Sequence, residues 1–180
     1  MAPTFLNYHN QKHGTNLSID DLKSYYVEEV TCETQEQMLA KIEAYLSTVH
    51  YTEGKPIEGS VEAIERLSRK YELVVVTSRD SFYRGSTEKF IEEHYPGLFS
   101  GLQYTHQVET PDIMVSKSEI CKEISAVAII DDHLKNITEC AEHGIEGILF
   151  GNYAWNQTKQ LPAGVTRLLN WQEVAVHLGV

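Results

Sequence analysis

Residues 126–132 read Ala-Val-Ala-Ile-Ile-Asp-Asp. Five apolar residues in a row predict a strand buried on both faces, and the two carboxylates predict what stands at its end. Similar runs lie on either side: Leu73-Val-Val-Val-Thr77, and Gly147-Ile-Leu-Phe150. Leu102 to Thr105 reads as a weak short strand, and another is expected around Val165. Helical signals fill the intervals. Val61, Ile64 and Leu67 form a stripe; Phe90 to Tyr95 closes a helix before Pro96-Gly97; Ser116-Lys-Ser-Glu119 is a capping box opening a helix through Glu123; one helix runs to Glu142 and another starts at Trp171. Unbroken apolar strands alternating with helices predict an α/β fold, a Rossmann-like parallel sheet with helices on both faces, over residues 56–180.

Residues 1–55 read differently. Phe5 to His13 predicts a short helix ending at Gly14. Ser18-Ile-Asp-Asp21 has capping-box spacing and predicts a helix through Val30. Thr34-Gln-Glu-Gln37 repeats the signal before Met38, Leu39, Ile42, Tyr45, Leu46 and Val49, which share one helical stripe. The expected organisation is a small N-terminal helical unit followed by the α/β body.

Composition narrows the partners. Among 180 residues, 15 Lys and Arg stand against 26 Asp and Glu, a net charge of −11. Such a body repels nucleic-acid backbones and anionic lipid, so neither nucleic acid nor a membrane is expected as partner, while a small phosphorylated molecule in a local positive pocket remains compatible. Three cysteines (Cys32, Cys121, Cys140) form no Cys-x-x-Cys pair and suit a reducing, cytoplasmic setting. The N-terminus has no signal-peptide pattern, and apolar runs of about six residues are far too short to span a bilayer.

In open parallel sheets ligands gather at the carboxyl ends of the strands. There the chain places Thr77, Ser78 and Arg79 after one strand, all able to donate to an oxyanion, and Asp131-Asp132 after another. Adjacent carboxylates at a buried strand end need a cation or a shared proton, and magnesium is the natural hard-oxygen cation. Lys117 falls at the first turn of its helix, where its ammonium and the free N–H groups can both face an anion. Taken singly, a Thr-Ser pair suits a turn, a first-turn Lys suits solvent, and an Asp suits a helix cap. The order of hydroxyl pair, lysine, carboxylate pair is the specific signal. His133 and His143 read as turn and helix-end residues, Cys121 and Cys140 as packing.

These residues resemble the haloacid dehalogenase-like phosphohydrolase superfamily, over Ile57 to Leu178. Thr77-Ser78 is similar to its second motif, Lys117 to the third, and Ala128-Ile-Ile-Asp-Asp-His-Leu-Lys-Asn136 to the acidic fourth. The Ile-Asp-Asp form and Gly151-Asn-Tyr-Ala-Trp-Asn156 most resemble the type-C 5′-nucleotidase-like branch. The resemblance implies phosphate held by Thr77, Ser78, Arg79 and Lys117, and magnesium held directly by Asp132 with support from Asp131 and Asn136. It also implies a first motif, Asp-x-Asp on a central strand, supplying nucleophile and acid–base. This sequence contains no Asp-x-Asp. The chain reads as beginning just after that motif, with residues 1–55 similar to the helical cap that follows it.

Two expectations follow. One is a pseudoenzyme with a remnant phosphate and magnesium pocket; the other is a magnesium-dependent phosphomonoester hydrolase whose first motif lies outside this sequence. The sheet is expected to rearrange around the lost strand. Either the strands ending at Thr77 and Asp131 pair directly, or residues 2–6 or another subunit fill the gap, with a homo-oligomer as the companion outcome.

Overall fold

A computed structural model describes residues 2–23, 34–48, 54–79, 84–106 and 114–180. The chain divides into two compact units: residues 1–55 together with Asn152–Gln157, and Pro56–Gly151 together with Thr158–Val180.

In the first unit, α1 spans Ala2–His13 and α2 spans Gln35–Leu46. Gly14 adopts φ 67°, the left-handed conformation that stops α1 at little cost to a residue without Cβ. Thr34 and Gln37 form the expected reciprocal capping box at the start of α2. Phe5 and Tyr45 meet edge-on at 5.4 Å and form a small core with Tyr8 and Ile42. The Ser18 signal produces only a single 3₁₀ turn, Ile19–Asp21, in the described residues. The rest of the helix expected through Val30 lies outside them, as do Cys32 and Val49.

The second unit is the α/β body. Its elements are α3 (Ser60–Ser68), β1 (Val74–Thr77), α4 (Arg84–His94), β2 (Gly101–Tyr104), α5 (Lys117–Glu123), β3 (Ala128–Asp131), α6 (Leu134–Glu142), β4 (Glu146–Phe150), β5 (Val165–Leu168) and α7 (Trp171–His177). All strand pairs are parallel: β1 with β2, β3 with β4, and β4 with β5. Helices α5 and α6 pack together, α5 on β1 and α6 on β3 and β4, while α3 packs on α7. Ile129, Ile137, Cys140, Ile145, Leu149 and Cys121 make the main core. Gly147 is required there, since a Cβ would lie 2.5 Å from Ile137 Cγ2. The buried face of α3 is Ser60, Ala63, Ile64 and Leu67, whereas Val61 is 41% exposed, so the stripe expected from Val61 is shifted by one residue. No helix in the described residues is long and apolar enough to cross a membrane.

The strands form two separate sheets, β1-β2 and β3-β4-β5. This corrects two of the three expected rearrangements: β1 does not pair with β3, and residues 2–6 lie in α1 rather than in a strand; the third, a strand from another subunit, concerns a second chain. Between the half-sheets lies a cavity of about 940 Å³, lined by Val74–Thr77 on one side and Ala126–Asp131 on the other.

Candidate functional site

The carboxyl ends of β1 and β3 border this cavity, with Thr77, Arg79 and Asp131 all in its wall. Thr77 ends β1; its carbonyl accepts from Thr105 N at 3.0 Å and its Oγ1 from Arg79 N at 3.2 Å. That local bond turns the chain just beyond the strand. Arg79 is half-buried and its Nη1 donates to Thr87 Oγ1 at 3.4 Å. Ser78 is exposed.

Lys117 is placed by its helix cap. Ser116 Oγ accepts from Glu119 N at 3.1 Å while Glu119 Oε2 accepts from Ser116 N at 2.9 Å. These bonds from Ser116, backbone first, hold the Glu119 carboxyl below its ordinary range. With the start of α5 fixed, Lys117 Nζ donates to Asp131 Oδ2 at 2.6 Å, the two side chains being 17% and 6% exposed. Asn136 Nδ2 donates to the same oxygen at 3.2 Å, and His133 N donates to Oδ1 at 2.7 Å. Asp131 therefore carries an ammonium, an amide side chain and a backbone N–H. Asp132 is half-buried immediately beyond β3.

Lys117, Asp131 and Asn136 are thus in direct contact, and Thr77, Arg79 and Asp131 share one cavity. Ser78, Lys117, Asp132 and Asn136 are not in that cavity's wall. Around Arg79 the structure adds groups that the sequence reading did not single out. Thr87 is buried on α4, and Arg84 stands 4.8 Å over the Tyr104 ring. Burial pushes the Tyr104 phenol above its ordinary value. The Arg84–Thr87 spacing of one helical turn was the available signal. Cys121 and Cys140 are buried in the core, and desolvation pushes the Cys140 thiol up to about 12. Among the described residues no group of three or more His, Cys, Asp or Glu could hold a metal ion.

The arrangement supplies hydroxyl, guanidinium and ammonium donors to an anion, beside a carboxylate pair that can accept a cation or proton. The solved haloacid dehalogenase-like hydrolase SP0104 from Streptococcus pneumoniae shares this fold. Its TM-score is 0.65 and its identity 14%, over 97% of this chain and 88% of that one. BH1399 of Halalkalibacterium halodurans, a protein named provisionally as a nucleotidase, is 24% identical over 173 residues, 94% of this chain and 82% of its own. A family model described as 5′ nucleotidase, deoxy (pyrimidine), cytosolic type C protein matches residues 2–178. With the fold and nearly the whole length matched, this chain belongs to the cytosolic type C 5′-nucleotidase family, within the haloacid dehalogenase-like phosphohydrolases.

Proposed function

We propose that this chain binds phosphate or a small phosphorylated molecule at the carboxyl ends of β1 and β3, and that these 180 residues alone do not hydrolyse it. The observation that carries the reading is the Lys117–Asp131–Asn136 cluster, held by a helix cap at the end of a buried strand. Thr77, Ser78 and Arg79 donate to phosphoryl oxygens, and Lys117 neutralises their charge. Asp131 positions Lys117; Asp132 and Asn136 face the cation.

Hydrolases of this superfamily generally use magnesium. The residues here fit it only in part, because Asp131 is already engaged by three donors and Asp132 is one carboxylate. Magnesium keeps several waters and is usually held by one or two carboxylates with substrate phosphate, so weak binding in the absence of phosphate follows. Turnover needs an attacking oxygen in line with the leaving group, and no Asp-x-Asp in the sequence provides one. The acidic charge and unpaired thiols accord with a cytoplasmic setting.

A second reading is favoured by the family match: a magnesium-dependent phosphomonoester hydrolase whose attacking carboxylate comes from outside these residues. One assay decides between them. Phosphate is expected to raise the melting temperature, more so with magnesium, while nucleoside monophosphates are not turned over. Turnover on the order of 1 s⁻¹ or faster, abolished by Asp132→Ala, overturns the inactive reading. Absence of any phosphate effect on melting overturns the binding site.

A further inference from the structure

A second group of donors stands beside the candidate site, at the carboxyl end of β2. Thr77 and Tyr104 are register partners that end β1 and β2, so their backbones lie about 4.8 Å apart. The first residue of α4, Arg84, lays its guanidinium 4.8 Å over the Tyr104 ring. Arg84 is exposed, and its guanidinium makes no hydrogen bond or ion pair among the described residues. One turn on, Thr87 is buried and accepts from Arg79 Nη1 at 3.4 Å. Tyr104 is 6% exposed, yet no group meets its hydroxyl with hydrogen-bond geometry. Burial raises the phenol's pKa, and Thr87, Arg84 and Arg79 act against that rise, so all three stand close to the hydroxyl. Glu88 is the carboxylate that acts on it, and Glu88 is exposed. The first turn of α4 carries no acidic residue. In a chain of net charge −11, two guanidiniums and a buried, unsatisfied phenol have been brought together.

We propose that Arg84, Thr87 and Tyr104 form a second phosphoryl-binding subsite, so that the ligand of this chain is a small bisphosphate with its phosphoryl groups on two different carbons. The proposal rests on the phosphate reading above, in which Thr77, Ser78 and Lys117 hold the first group. Arg79 bridges the two places, since its N–H bonds Thr77 Oγ1 while its guanidinium reaches Thr87. The Arg84 guanidinium offers paired N–H donors that match two phosphoryl oxygens. A buried phenol without an acceptor is costly, and a phosphoryl oxygen satisfies it. The start of α4 adds N–H groups and the positive end of the helix. A sugar or base hydroxyl answers the phenol but leaves both guanidiniums unneutralised. A carboxylate brings one charge, a phosphoryl group close to two. The spacing of Thr77 from Tyr104 exceeds what one bridging oxygen spans, which sets the groups on separate carbons.

Isothermal titration at ~0.15 M salt compares alkanediol bisphosphates, from ethane to hexane, with the matching alkyl monophosphates. At one chain length the bisphosphate is expected to bind at least ~10-fold more tightly than its monophosphate. Arg84→Gln, at an exposed position, is expected to cut that advantage to within ~2-fold. Tyr104→Phe keeps the ring beneath Arg84 and is expected to reduce the advantage ~3- to 10-fold. Arg69→Gln removes the same charge from an exposed site after α3 and is expected to leave the advantage intact. Monophosphate binding with no bisphosphate advantage overturns the second subsite alone. Binding of neither overturns the phosphate reading on which it rests. An advantage equal at every chain length, or lost equally in Arg69→Gln, overturns the proposal by making it a matter of net charge. So does an Arg84→Gln protein that weakens monophosphate and bisphosphate alike, which assigns Arg84 to the first group.

Discussion

Replacing Lys117 by Met tests how tightly the candidate site is wired into the stability of the body. The substitution keeps the apolar stem and removes the ammonium 2.6 Å from Asp131 Oδ2, leaving a carboxylate whose side chain is 6% exposed. Breaking a buried pair by removing one partner costs about 3–5 kcal/mol. Asp131 keeps its bonds from Asn136 and His133 N, so the lower end applies, about 3 kcal/mol. For a chain of this length that is a fall of roughly 6–12 °C in melting temperature. The reverse change, Asp131→Asn, leaves an ammonium that reaches solvent, so its cost is smaller. In the double variant neither charge is stranded, and its cost is expected to match Asp131→Asn alone. Urea unfolding of the four proteins gives a coupling energy, expected at about 3 kcal/mol, the cost of Lys117→Met alone. Additive single costs, or a Lys117→Met protein within about 0.5 kcal/mol of the parent, refute the reasoning.

Gly147→Ala is expected to destabilise by about 1–3 kcal/mol in urea titration, because the new methyl meets Ile137 Cγ2 at 2.5 Å inside a filled core; an unchanged midpoint contradicts that. The Cys140 thiol is raised in the folded chain from 9.0 to about 12, so its contribution is complete below pH 9 and is lost as pH rises toward 12. Stability is expected to fall over that range by up to about 1.4 kcal/mol per pH unit for this group, and Cys140→Ala is expected to flatten the slope. An equal slope in parent and variant counts against the assignment.

The strands were legible because continuous apolar runs bounded by turn signals read as strands, although Val127 proves 69% exposed and β1 only half-buried. Capping boxes were equally plain at Thr34 and Ser116, where the side chain and the third residue answer each other. The engagement of Asp131 by Lys117 was not legible, because it depends on α5 bringing Lys117 across to β3, a contact between residues 14 positions apart. That β1 and β3 do not pair was not legible either, because pairing depends on how the elements pack together and not on either apolar run alone. Position 61 was misread because a stripe of three residues fits two neighbouring helical faces equally well.

The inclusion of Asn152–Gln157 in the first unit bears on the order of synthesis. Chains emerge from the ribosome at about 5–20 residues per second, and domains generally fold as units. Residues 1–55 emerge before the body, yet their unit is incomplete until Asn156, which is fully buried, has been added 101 positions after Lys55. By then β1 to β4 are already out and can fold. Of the two units, the one whose helices precede the body in sequence is therefore completed only after most of the body has been made. A fragment ending at residue 55 lacks part of its own unit, and one starting at 56 carries a buried asparagine that belongs elsewhere.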